Sequence, residues 1–125
     1  MKRFEFFIPG RLPGMNDIIG EARTHRMASA KTKAEVTAKV ANAAMIQNKS
    51  RMTFDRPIIL RCMWFETNRR RDPDNIVAGK KYVLDGLVAA GILAKDGWPQ
   101  VAGFDDKWDV SKEHPGVLVT VEEVT

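Results

Sequence analysis

One cysteine and two histidines are all that this chain of 125 residues offers to thiol or imidazole chemistry. Cys62 closes no internal disulfide. In the apolar run "IILRCMWF" it reads as a small buried hydrophobe, and the expected compartment is the reducing cytoplasm. His25 and His114 are each solitary and read as exposed loop residues rather than metal ligands. Long apolar runs are missing too. Lys, Arg or Asp interrupts each of them, so no membrane span is expected. The opening "MKRFEFFIPG" lacks the apolar core of a secretory leader. Acidic residues are scarce in the front of the chain. Up to Lys81 there are 17 Lys and Arg against 8 Asp and Glu, and from Tyr82 onward 3 against 8, around a net charge of +4. A basic front and an acidic back fit a polyanionic partner on one side, nucleic acid first. Solubility alone is the plain alternative.

Apolar residues at 44% and charged residues at 29% describe a globular chain, and the length fits a single domain over residues 1–125. "KRFEFFIPG" predicts a first strand and "RLPGMNDIIGEARTHRM" a loop carrying Arg11, Arg23 and Arg26. "SAKTKAEVTAKVANAAMIQNK" predicts a helix capped at Ser29. "RPIILRCMWFET" predicts a buried central strand. "DNIVAGKKYVLDGLVAAGIL" predicts a second helix, capped by Asp74 or Asn75 and ended by Gly91. "VAGFDDKWDVS" and "GVLVTVEEV" predict two strands joined as a hairpin. The order β-α-β-α-β-β gives an α/β (α+β) fold, with helices on one mixed sheet.

Chemistry concentrates in "RRRDPDN", residues 69–75, at the end of the central strand. Asp72 and Asp74 flank a stiff proline. If the backbone is extended there, both carboxylates point the same way and suit Mg²⁺ or Mn²⁺. The plain alternative is that Asp74 caps the helix while Asp72 pairs with an arginine. Asp96, in "LAKDGWP", offers a third acid. A helix of about 16 residues, roughly 24 Å long, carries it away from the other two. It must return by the next loop or come from a neighbouring subunit. Lys81 sits seven residues after Asp74 and roughly in line with it, and Lys80 lies beside it on the apolar face. Either lysine suits a phosphate, whereas a solvated Lys81 and a snorkelling Lys80 are the bland readings. Trp98 is placed to stack on a base or to be an ordinary rim aromatic. Asp105, Asp106 and Asp109 alternate with Phe104 and Trp108 and read as a solvated strand face.

From Arg69 onward the chain resembles the RusA family of Holliday junction resolvases, through "RRRDPDN", "KKYVLDGLVAAGIL" and "KDGWPQVAGFDDKWDV". The resemblance covers roughly the last 60 residues, and "IPGRLPGMND" more loosely. It implies a small, dimeric, Mg²⁺-dependent crossover junction endodeoxyribonuclease, often prophage-borne and acting in DNA recombination and repair in a bacterial or phage-infected cell. It places catalytic, metal-binding acids at Asp72, Asp74 and Asp96. The family's essential lysine falls on Ala78 when counted from Asn75, and on Lys81, with Lys80 beside it, when counted back from Asp85. The acid that commonly precedes the third aspartate is Lys95 here. DNA contacts are expected from Arg69, Arg70, Arg71, Arg23, Arg26 and Trp98. A homodimer is expected because a four-way DNA junction needs two symmetric cuts, with Phe6, Phe7 and a helix face as interface candidates. Three other readings remain open: a non-catalytic basic DNA-binding module, a less selective branched-DNA nuclease, and a nucleotide-sugar enzyme using the D-x-D pair.

Overall fold

The computed structural model describes residues 2–24 and 26–124; the side chains of residues 21–28, and so those of Arg23, His25 and Arg26, fall outside the description. The elements are β1 (Arg3–Pro9), α1 (Met15–Thr24), α2 (Arg26–Gln47), β2 (Ile58–Glu66), α3 (Pro73–Val77), α4 (Lys80–Ala89), β3 (Val101–Val110) and β4 (Gly116–Glu123). The fold is α+β, as the sequence predicts, with one four-stranded mixed sheet in the order β1-β4-β2-β3.

Strands β1 and β2 alternate in burial because one sheet face meets the helices. Ile58, Leu60, Cys62 and Trp64 of β2 are buried, as are Phe4, Phe6 and Ile8 of β1 and Val117, Val119 and Val121 of β4. They share a core with Val40 and Ala44 of α2 and Val83 and Leu87 of α4. Phe6 is 1% exposed, which removes it from the interface candidates. Cys62 is buried as expected, and desolvation, with Asp106 nearby, pushes its thiol up to about 12. No helix among the described residues is long and apolar enough to cross a membrane.

Four expectations are corrected. The segment read as a loop contains α1. Its Ile18 packs against the core, and its free N–H groups are met by two side chains. Asp17 Oδ2 accepts from Gly14 N at 2.9 Å, and Asn75 Oδ1 accepts from Asn16 N at 2.8 Å. The second helix begins at Arg26, so Ser29 lies inside it instead of capping it. The helix expected from residue 74 is broken into α3 and α4. The chain tightens there into short turns, Gly79 N to Ile76 O at 3.2 Å and Lys81 N to Ala78 O at 3.4 Å. Gly79 at the break rests on Leu12 and Trp64. Finally, β3 and β4 form no hairpin. β4 lies antiparallel between β1 and β2, while β3 runs parallel to β2 on its other side. The connection from β3 therefore passes the end of β2, where Ser111 N donates to Glu66 O at 2.8 Å.

Helices α2 and α4 cross closely at Gly86, where a Cβ would stand 2.3 Å from Val40 Cγ1. Ala usually stabilises a helix interior relative to Gly by ~1 kcal/mol. At this crossing the sign reverses. Gly86→Ala is expected to destabilise the protein by about 1–3 kcal/mol through overpacking, read as a lower urea midpoint.

Candidate active site

The carboxyl end of β2 supplies the site. Its last residue, Glu66, is 5% exposed, and a buried carboxylate needs a cation. Arg71 provides it through two parallel bonds, Nε to Oε1 at 2.9 Å and Nη2 to Oε2 at 2.7 Å. Arg71 Nη1 also donates to the Leu12 carbonyl at 3.1 Å and lies 3.7 Å from Asp17. The clamp fixes the turn of residues 67–71 against the β1–α1 connection. Arg71 is thus an internal strut, not a free phosphate contact. Asn75 plays a matching part by capping α1.

The remaining motif residues face outward. Arg69 and Arg70 are exposed, and neither has a carboxylate partner among the described ion pairs. Asp72 is the extended N-cap of α3 (φ −70°, ψ 152°), yet its side chain makes no cap bond. Pro73 occupies the first helical position, which its ring suits. Asp74 therefore lies in a helical turn, so the extended backbone that would turn both carboxylates the same way is absent, and it is Asp72 that holds the cap position. Its Oδ1 accepts only the neighbouring Asn75 N, at 2.9 Å, among the described bonds. Asp72 and Asp74 are both exposed and have no cation partner among the described residues. Arg71, the arginine next to Asp72, is spent on Glu66. Beside Asp72 opens a cleft of about 370 Å³, walled by Arg69, Pro73, Ile76, Trp108 and Asp109.

The two lysines divide. Lys80 Nζ bonds Asp106, which also accepts from Trp64 Nε1 at 3.0 Å, and lies 4.1 Å from the centre of the Phe104 ring. Its side chain is only 16% exposed, so it fastens α4 to β3. Lys81 is 63% exposed, 3.9 Å from Asp85. Asp106 is accordingly no solvated residue of the acidic run. It shares its sheet face with Phe104 and Trp108, and that common parity was the signal in the sequence. Asp105 does face the open side, where it pairs with Arg61. His114 is exposed, as expected.

Asp96 lies elsewhere. The turn that follows it, with Val101 N bonded to Gly97 O at 3.0 Å, leads into β3 at Val101, opposite Ile58 at the start of β2. Asp72 follows the other end of β2. A nine-residue strand separates the two ends, on the order of 25 Å. Asp96 and Trp98 are exposed there, Trp98 by 97%. Among the described residues no three acidic, imidazole or thiol groups gather as a metal cradle. One chain alone therefore does not fit a three-carboxylate magnesium site. It leaves Asp72 and Asp74 exposed beside Arg69 and Arg70, none of the four in an ion pair among the described residues. No family model and no curated protein matches this chain.

Proposed function

We propose that this chain is a Mg²⁺-dependent, structure-selective endonuclease that works as a homodimer on four-way DNA junctions. The observation that carries the reading is the state of Asp72 and Asp74. Among the described residues, two exposed carboxylates stay without a cation beside three arginines, one of which is committed to Glu66. Their oxygens are open to solvent and within reach of a divalent cation. A pair kept for a divalent cation is left open.

Mg²⁺, with Mn²⁺ able to replace it, would supply Lewis acidity and an activated water at these oxygens. The chain's own residues do the rest. Arg69 and Arg70 hold phosphates flanking the cut. Lys81, the exposed lysine, is the one free to reach an incoming phosphate, while Lys80 keeps β3 in place. Asp96 joins the site from the partner protomer, because its own chain holds it a strand's length away. That arrangement gives a two-fold pair two sites, the number that a symmetric junction requires.

Metal-dependent strand scission of a synthetic junction, with weaker cutting of linear duplex of the same sequence, tests the reading directly. Ligatable nicks are the expected product. One observation favours a second reading: the missing cradle in the single chain fits a non-catalytic DNA-binding module, which would bind the junction and never cut it. Binding should also separate the arginines. Arg69→Ala or Arg70→Ala each lowers the slope of log affinity against log salt by about one. Arg71→Ala acts instead on folding, seen as a lower melting temperature.

A further inference from the structure

The two edges of the sheet are treated differently. β1 is sealed: Gln47 at the end of α2 accepts from Phe7 N at 2.9 Å and donates to Phe7 O at 2.8 Å, as a neighbouring strand would. β3 has no such cover among the described residues. It pairs with β2 on one side only, runs for ten residues, and carries Phe104 and Trp108 at 51% and 50% exposure. A long open edge with half-exposed aromatics is a template for another strand.

We infer that β3 pairs antiparallel with β3 of a second copy, in the register that sets Phe104 against Trp108 of the partner subunit, making one continuous eight-stranded sheet from two four-stranded halves. The inference rests on the proposed homodimer for its two-fold symmetry, and not on the nuclease chemistry.

Charge selects the register. Residues 104, 106 and 108 face the helices, as the Lys80 and Trp64 contacts of Asp106 require. Residues 103, 105, 107 and 109 face the open side. A two-fold axis normal to the sheet keeps the faces, so it must pass through a residue pair. Through Lys107 it would set Lys107 against the partner's Lys107 and Asp105 against the partner's Asp109. Through Asp105 it would set Phe104 against the partner's Asp106 and leave Lys107 opposite the partner's Gly103, with no aromatic and no opposite-charge pair. Through Asp106 it sets Lys107 against the partner's Asp105, and both aromatic residues against one another. The axial Asp106 pair is tolerable because each carboxylate already holds Lys80 and Trp64 in its own chain. This direction also lays the Asp96 turn, which precedes Val101, beside the Val110 end of the other β3. There stand the partner's Trp108, the partner's Asp109 and the partner's Asp72.

The register is tested without DNA or metal. Gly103, whose Cβ would meet nothing within 4 Å, is opposite the partner's Asp109. Gly103→Cys combined with Asp109→Cys should give a covalent dimer under mild oxidation, with Cys62 buried out of reach. Gly103→Cys combined with Lys107→Cys, out of register, should not. In sedimentation, Trp108→Asp should weaken the dimer about a hundredfold and Lys107→Asp about tenfold, with circular dichroism unchanged. A monomer at tens of micromolar, dimers indifferent to both substitutions, or crosslinking by the offset pair alone would overturn the inference. A dimer that forms as described but cuts no junction would leave this interface standing and remove the nuclease reading.

Discussion

Asp72→Asn, and separately Asp74→Asn, should reduce Mg²⁺-dependent junction cleavage by about 10²–10³-fold or more, with junction binding kept. The substitution changes one oxygen into an amide and leaves the volume alone. Neither side chain supports the fold. Asp72 makes no cap bond, and among the described residues Asp74 bonds only its neighbour's amide. Stability should therefore change little, and losing a negative charge beside Arg69 and Arg70 should tighten DNA binding slightly. The lost function would then be the hold on the divalent cation. Gel-shift binding in chelator and cleavage in Mg²⁺, on the same preparation, separate the two effects. Retained wild-type cleavage in either variant would remove the acid pair from the chemistry.

The second large effect is on stability. Glu66→Gln should cost about 3–5 kcal/mol, out of a total near 5–15 kcal/mol for a domain. The Arg71 side chain is 15% exposed and Glu66 6%, so the amide leaves a guanidinium largely desolvated without its bidentate partner. Arg11, 3.5 Å from Glu66, loses its partner as well. The melting temperature should fall by on the order of 10–20 °C. Replacing both members together, Glu66→Met with Arg71→Leu, should recover much of the loss, since a buried pair often contributes little net stability over an apolar one. The double variant tests position too. If the clamp serves to hold Asp72, cleavage stays low after stability returns. A Glu66→Gln protein as stable as the parent would show that the clamp carries no weight.

Residue pattern predicted the strands and the main helices well, because burial on one face writes itself into every second or every third and fourth position. α1 escaped because its amide groups are capped partly by Asn75, 59 positions away, and no local window contains that residue. The hairpin failed for a related reason. Choosing β2 rather than β3 as the partner of β4 is a long-range decision, and "KEHPG" looks the same in either case. In the site, the sequence located the acids at a strand end. It did not separate Arg71 from Arg69 and Arg70, because burial of Glu66 makes the difference and Glu66 lies outside the motif. Nor did it place Asp96, whose position follows from β3 running parallel to β2.

The central claim is that Asp72 of one protomer works with Asp96 of the other. Mixing two individually inactive proteins, Asp72→Asn and Asp96→Asn, measures this directly once the subunits have exchanged. A shared site predicts that the mixed dimer has one site with both defects and one site with neither, so nicking of a four-way junction returns in the mixture. If exchange is complete, shown by mass-tagged subunits, and the mixture stays as inactive as its two components, then the shared site does not exist.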